Sequence, residues 1–142
     1  MEDDLALLGG PKILDRVLER SDYVVVSMPA SPQTVGWIGE PQLCRMKPSA
    51  YLINVARGEI VDEAALVEAL RGGRLRGAGL DAFAREPLDA GHPLLHLDNV
   101  VTTPHIAGGT AETARRRTRA AAENVNRVAQ GLAPLYQITS HE

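Results

Sequence analysis

The sequence predicts an α/β fold, a parallel sheet of about four strands with flanking helices and a long C-terminal helix. Three observations carry this. Four short apolar runs, at 23–28, 51–55, 77–83 and 99–103, have the branched or small residues of buried strands. The stretches between them space their apolar residues at helical intervals. A chain of 142 residues with 44% hydrophobic and 23% charged residues fits one folded domain.

The elements follow in order. Lys12–Arg20 places Ile13, Leu14, Val17 and Leu18 at helical spacing after Pro11, a residue suited to a first helical turn. Tyr23–Met28 is nearly unbroken and apolar, which predicts a strand buried on both faces, and Pro29 ends it. Glu40–Met46 supplies a short helix before Pro48, and Tyr51–Val55 is the second strand. Asp62 or Glu63 caps a helix over Ala64–Arg71, with Leu66, Val67 and Leu70 on one face and Gly72-Gly73 as its stop. Gly77–Phe83 is the third strand, whose small residues permit close packing, and Asn99–Thr103 the fourth, of open direction, closed by Pro104. Thr110 caps a long helix over Ala111–Gln130, with Gly131 beyond its end. Its stripe of Ala114, Thr118, Ala121, Val125, Val128 and Leu132 is amphipathic.

Composition narrows the partners. Aromatic residues at 4% leave no stacking platform for single-stranded nucleic acid, and a net charge of -3 removes a general pull towards phosphate backbones and anionic membranes. The basic run Arg115-Arg116-Arg117 with Arg119 reads as the solvated face of the last helix. The single cysteine, Cys44, allows neither an internal disulfide nor a cysteine-rich zinc site, and reads as a passive thiol in a reducing compartment. His92 and His96 are four apart, but Pro93 between them argues against a helical metal pair, so no metal site is expected. No apolar run reaches the roughly 18 residues of a membrane span, and the acidic start at Met1–Asp4 lacks a signal peptide's basic region; the expectation is a cytoplasmic protein.

The residues with chemical potential fall just after strands. Arg57 follows the second, Asp81 lies near the end of the third, Glu86 is in the next loop and His105 comes directly after the fourth. In a parallel sheet these points share the carboxyl edge, where ligands of open sheets bind. An arginine there can grip a carboxylate through two hydrogen bonds, or can be a solvated loop residue. Asp81, in an apolar and glycine-rich strand, needs a partner, whether a ligand or a structural ion pair. His105 is a titrating candidate once a carboxylate such as Glu86 holds one ring nitrogen and fixes the tautomer.

The segments Asn54-Val55-Ala56-Arg57-Gly58, Val61-Asp62-Glu63, Gly79-Leu80-Asp81-Ala82-Phe83 with Glu86-Pro87, and Thr103-Pro104-His105-Ile106-Ala107-Gly108 resemble, in order and spacing, the D-isomer-specific 2-hydroxyacid dehydrogenases. The likeness runs from about Gly9 to Leu135. It implies a partial Rossmann-like, doubly wound sheet: a partial NAD(P)-binding domain over 9–131 and a tail over 132–142. By that resemblance Arg57 binds the carboxylate and keto oxygen of a small 2-oxoacid or 2-hydroxyacid, His105 is the general acid, and Glu86 supports it. Asp81 and the Ala56 carbonyl take the nicotinamide carboxamide of NAD or NADP, with Arg57, His105, Ala107 and Gly108 around the same pocket. Pro29, Ala30 and Ser31 pass the adenosine or ribose portion.

One part of the family pattern is missing. The 142 residues hold no Gly-x-Gly-x-x-Gly turn, and Gly9-Gly10 cannot replace it, since no strand precedes it and Pro11 follows. The chain is therefore expected to be weakly active or inactive alone, with Tyr23–Met28 left as an apolar edge. The alternatives are a non-enzymatic association module, using the edge strand or the last helix to bind a partner or another copy as a homodimer, or half of a split dehydrogenase that meets a complementing N-terminal half.

Overall fold

The computed structural model describes residues 9–137, so the acidic start and the last five residues of the expected tail lie outside the described residues. The chain divides into two compact units, Met1–His105 and Ile106–Glu142.

In the first unit a 3-10 turn, Pro11–Ile13, leads into α1 (Leu14–Arg20), and β1 (Tyr23–Val26) follows. Next come α2 (Glu40–Leu43), β2 (Tyr51–Asn54), α3 (Glu63–Arg71), β3 (Gly77–Leu80) and β4 (Val100–Thr102). The four strands form one sheet in the order β1-β2-β3-β4, and every neighbouring pair is parallel, which settles the direction of the fourth.

Local chemistry sets the helix ends. The Asp62 carboxylate accepts the Ala65 N–H at 3.1 Å and so caps α3. At the far end Gly73, at φ 66, lets the chain turn so that Arg74 N–H reaches the Ala69 carbonyl at 2.8 Å. Every strand is shorter than its apolar run, and β3 and the α2 helix fall furthest short of expectation, by three residues each. The α2 helix tightens after Leu43 into three-residue turns, Arg45 N–H to Gln42 O and Met46 N–H to Leu43 O. Past Leu80 the Asp81 N–H still reaches the Asn54 carbonyl of β2, and the chain then enters a loop in which the amides of Phe83 and Ala84 bond to side-chain carboxylates.

Strand alternation gives the sheet two unlike faces. Val24, Val26, Leu52, Asn54, Ala78, Leu80 and Val100 share the face packed with Leu18 of α1, Leu43 of α2 and Leu66, Val67 and Leu70 of α3. Each fully buried leucine there contributes about 1.5–3 kcal/mol. The other face carries Tyr23, Val25, Tyr51, Ile53, Gly79 and Val101, and it is uncovered: Tyr23 is 65%, Val25 56% and Val101 70% exposed. The expectation that the first strand is buried on both faces is thus corrected. An unbroken apolar run does not say that helices lie on both sides of it. Tyr23 and Tyr51 stack on this bare face, ring centroids 5.4 Å apart.

The second unit holds α4 (Ala111–Ala129), capped by Thr110, whose hydroxyl accepts the Thr113 N–H at 3.0 Å. Gly131, at φ 70, reverses the chain, and Asn124 then clasps the backbone of Leu135 from both sides, at 2.6 and 3.1 Å. No residue of α4 is buried, and the stripe residues Val125 and Val128 stand exposed.

Candidate active site

The site is built at the carboxyl ends of β2, β3 and β4. Asn54, the last residue of β2 and 1% exposed, turns its carboxamide onto the chain ahead: its Oδ1 accepts the Ala56 N–H at 3.0 Å and its Nδ2 donates to the Arg57 carbonyl at 2.9 Å. These bonds fix the turn that presents Arg57, whose Nη1 donates to the Ala56 carbonyl at 2.7 Å. Gly58 follows, pressed against the backbone of Phe83 and Ala84 so closely that a Cβ would lie 1.9 Å from the Phe83 carbonyl carbon. Only glycine lets those two segments approach.

Asp81 comes directly after β3 and is 3% exposed. Its Oδ1 accepts the Thr103 hydroxyl at 2.5 Å, while its own N–H donates to the Asn54 carbonyl at 2.9 Å. The ends of the three strands are thereby laced together. Beyond Asp81, Phe83 N–H donates to Glu86 Oε1 at 2.9 Å and Ala84 N–H to Glu63 Oε1 at 2.7 Å, and the Glu86–Pro87 peptide is cis.

His105 lies three residues past β4 in the left-handed region, at φ 55, a conformation few non-glycine residues adopt. That turn sends its ring to Glu86, with Nδ1 3.0 Å from Oε1 and 2.8 Å from Oε2. The hydrogen bond from His105 holds the Glu86 carboxyl below the usual carboxylate range, helped by the Phe83 N–H and then by the charges of His105 and Arg57, against a partial loss of hydration. An ionised carboxylate only accepts, so Nδ1 carries a hydrogen and Nε2 is left to exchange a proton. Both side chains remain about two-fifths exposed, 41% and 38%, so Nε2 has access to a ligand.

Arg57, Glu86 and His105 line one cleft of about 390 Å³ together with Ala30. Glu86 and His105 also border a second cleft of about 450 Å³ on the side of Leu88, Leu95 and Thr103. The structure therefore brings together the three residues expected to do chemistry, although 19 positions separate Glu86 from His105. Of the other expected positions, Ala30 reaches the cleft. Pro29 and Ser31 flank it in a turn tied by the Thr34 hydroxyl, which accepts the Ser31 N–H at 2.7 Å and donates to the Pro29 carbonyl at 3.2 Å. Ala56 contributes its carbonyl next to Arg57, and Asp81 is covered beneath the strand ends rather than on the cleft wall. Ala107 and Gly108 belong to the second unit.

Reading the sequence missed four supporting residues: Asn54, Gly58, Glu63 and Thr103. A signal was present for Asn54, a polar residue at the end of an apolar strand, by the reasoning that singled out Asp81.

Comparison with known proteins agrees with this architecture. Residues 5–107 match the family model described as D-isomer specific 2-hydroxyacid dehydrogenase, NAD binding domain. A glyoxylate reductase of Thermofilum pendens is 48% identical over 121 residues, which are 85% of this chain and 36% of that protein. A glyoxylate/hydroxypyruvate reductase B of Pectobacterium carotovorum is 48% identical over 112 residues, 79% of this chain and 35% of that protein. Among solved structures, a D-isomer specific 2-hydroxyacid dehydrogenase from Xanthobacter autotrophicus in complex with NADPH and MES superposes with a TM-score of 0.81 at 41% identity, covering 92% of this chain and 53% of the other. The chain spans about a third of the length of the curated relatives it matches. By sequence match and by fold, the chain belongs to the D-isomer specific 2-hydroxyacid dehydrogenases, within their NAD-binding domain.

Proposed function

We propose that this chain supplies the proton-transfer and carboxylate-binding residues of an NAD(P)-dependent reductase that interconverts small 2-oxoacids and D-2-hydroxyacids. The observation that carries the proposal is the Glu86–His105 pair sharing one cleft with Arg57. The Arg57 guanidinium holds the substrate carboxylate and its keto oxygen. His105 Nε2 gives a proton to that oxygen in the reductive direction and takes it back in the oxidative one, while Glu86 keeps Nδ1 protonated and the ring in place. A nicotinamide dinucleotide held at this edge would supply the hydride to the 2-oxoacid carbonyl carbon, or take it from the hydroxyl-bearing carbon in the reverse direction.

The residues at this edge fit the nicotinamide end of such a cofactor. A carboxamide needs acceptors for its N–H groups: the Ala56 carbonyl stands beside Arg57, whereas Asp81, covered and bonded to Thr103 at the neighbouring strand end, would take part only if a bound ring opened the way to it. In this reading Arg57 and His105 complete the pocket, and Pro29, Ala30 and Ser31 run beside the adenosine or ribose. No Gly-x-Gly-x-x-Gly turn lies within the 142 residues, so these residues do not cradle the phosphates. The chain then represents the second half of a dinucleotide-binding domain over 9–131 with a tail over 132–142, and has little turnover alone.

A chimera tests the assignment, with residues 9–137 of this chain replacing the matching segment of the Thermofilum pendens reductase. The chimera should reduce glyoxylate with NADH or NADPH. His105→Ala and Arg57→Ala should each lower kcat/KM by about a hundredfold or more, in line with the loss of a general acid or a charge-assisted contact. A folded chimera that keeps full turnover after either change would refute the roles.

A second reading is favoured by the uncovered sheet face. Tyr23, Val25, Ile53 and Val101 offer an apolar surface next to the free edge of β1, suited to another copy of the chain or to a complementing N-terminal half. Light scattering behind size exclusion separates the cases: a monomer from micromolar to near-millimolar concentration counts against self-association.

A further inference from the structure

A second carboxylate–imidazole pair, Glu63 with His92, ties into the same loop as the first. Glu63 is the opening residue of α3, and its side chain is only 18% exposed; His92, at 24%, faces it with Nε2 3.6 Å from Oε2. Both are better covered than Glu86 and His105, at 38% and 41%. His92 Nδ1 accepts the Leu94 N–H, so in the neutral ring the hydrogen sits on Nε2, the atom turned to Glu63. Leu94 itself is buried and anchors that end of the loop. Glu63 uses its other oxygen on the near end of the same loop, accepting the Ala84 N–H at 2.7 Å.

One glutamate thus bonds the near end of the segment 84–92 and stands against the imidazole at its far end, and Glu86 lies between them. The coupling is short. The amides of Phe83 and Ala84 are consecutive; the first is held by Glu86 and the second by Glu63. Glu86 Oε1 accepts both the Phe83 N–H, at 2.9 Å, and the His105 ring nitrogen, at 3.0 Å. A shift of the Phe83–Ala84 backbone therefore moves the carboxylate that sets the His105 tautomer. Gly58 lies directly against the same backbone, with no space between them for even a Cβ, so that backbone has little room to settle elsewhere.

We propose that Glu63, with His92, is a positioning residue for proton transfer: it fixes the loop carrying Glu86 and, through Glu86, the ring of His105. Its value to catalysis rests on the role assigned to His105 above, but its structural action can be read without any substrate. The test uses the 142-residue chain, ring-15N NMR of His105 and hydrogen exchange of the Phe83 and Ala84 amides. In Glu63→Ala both amides should exchange about tenfold faster or more, and His105 should change from one tautomer, hydrogen on Nδ1, to a mixture. Glu63→Gln keeps an oxygen for Ala84 and should restore protection to within about threefold. His92→Ala should give the same changes in weaker form, and it serves if Glu63→Ala does not fold. Leu18→Ala, remote in the core, controls for general destabilisation. Unchanged His105 shifts in folded Glu63→Ala or His92→Ala, or equal changes in Leu18→Ala, would overturn the proposal. Because no cofactor or 2-oxoacid is present, that failure would leave the reductase reading standing, and an inactive chimera would leave this one standing.

Discussion

Adding a single methyl group at Gly58 should separate the two halves of the site. A Cβ there meets the Phe83 carbonyl carbon at 1.9 Å, the Ala84 nitrogen at 2.1 Å and the Phe83 Cα at 2.4 Å, all backbone atoms that no rotamer change can clear. Ordinary contact begins at 3.4 Å, so the segments must part by about 1.5 Å. Overpacking of this kind costs about 1–3 kcal/mol. A displacement of that size takes the Phe83–Glu86 and Ala84–Glu63 bonds, now 2.9 and 2.7 Å, out of hydrogen-bonding geometry. Hydrogen bonds to charged groups are each worth about 1.5–3 kcal/mol when buried, and partial exposure of Glu86 places this pair at the low end. Gly58→Ala should therefore destabilise the chain by about 4 kcal/mol or more, a large share of the roughly 5–15 kcal/mol that holds an ordinary domain. Urea unfolding measures it, with Gly10→Ala as the control: a Cβ at Gly10 meets nothing within 4 Å, and the change should stay within about 0.5 kcal/mol. Should Gly58→Ala unfold at the same midpoint as the unaltered chain, with the Glu86–His105 hydrogen bond intact by NMR, the close approach is not a constraint.

Asn54→Leu keeps the volume but strands the Ala56 N–H and the Arg57 carbonyl, so it should cost about 2–4 kcal/mol in urea unfolding; a loss under 0.5 kcal/mol would mean the carboxamide is dispensable. Glu86 has a lowered carboxyl pKa in the folded chain, so its stabilising contribution is present above the ordinary carboxylate pKa and is lost as pH falls through the lowered value. Between about pH 5 and pH 2, Glu86→Gln should show a shallower fall of Tm than the unaltered chain, and parallel curves would contradict the sign. The two sheet faces should respond oppositely: Leu52→Ala on the covered face costs about 2–5 kcal/mol, whereas Val101→Lys on the bare face costs no more than about 0.5 kcal/mol, and a large loss at Val101 would show that something covers it.

The layout of strands and helices was legible because each apolar run ends in residues with a plain physical meaning: Pro29 after β1, Gly72-Gly73 after α3, and Thr110 before α4. The shared edge of Arg57, Glu86 and His105 was legible for the same reason, since a parallel sheet collects the residues that follow its strands. The contact between Glu86 and His105 was not, because it depends on how the chain from Ala84 to His96 folds back and on the left-handed turn at His105. Side chains that bond to backbone at a distance leave no pattern of their own, which hid the tie from Glu63 to Ala84. The close approach at Gly58 involves a partner 25 positions away, and nothing local to a glycine announces such a neighbour. The bareness of one sheet face is a property of what lies beside the strands, and Val25 reads the same whether or not a helix covers it.

Strand order in the sheet follows chain order, and this bears on how the first unit assembles. The partners Tyr23 and Tyr51, Tyr51 and Gly77, and Ala78 and Val100 are 28, 26 and 22 positions apart, so each strand docks on the one made just before it. Closing loops of such similar length differs in entropic cost by only about 0.2 kcal/mol from the longest to the shortest. During synthesis β1 and β2 can pair before β3 leaves the ribosome, and every later strand meets a finished template. The sheet grows at one edge by near-equal steps, and its last step, β4, delivers His105 to a Glu86 whose loop has already emerged.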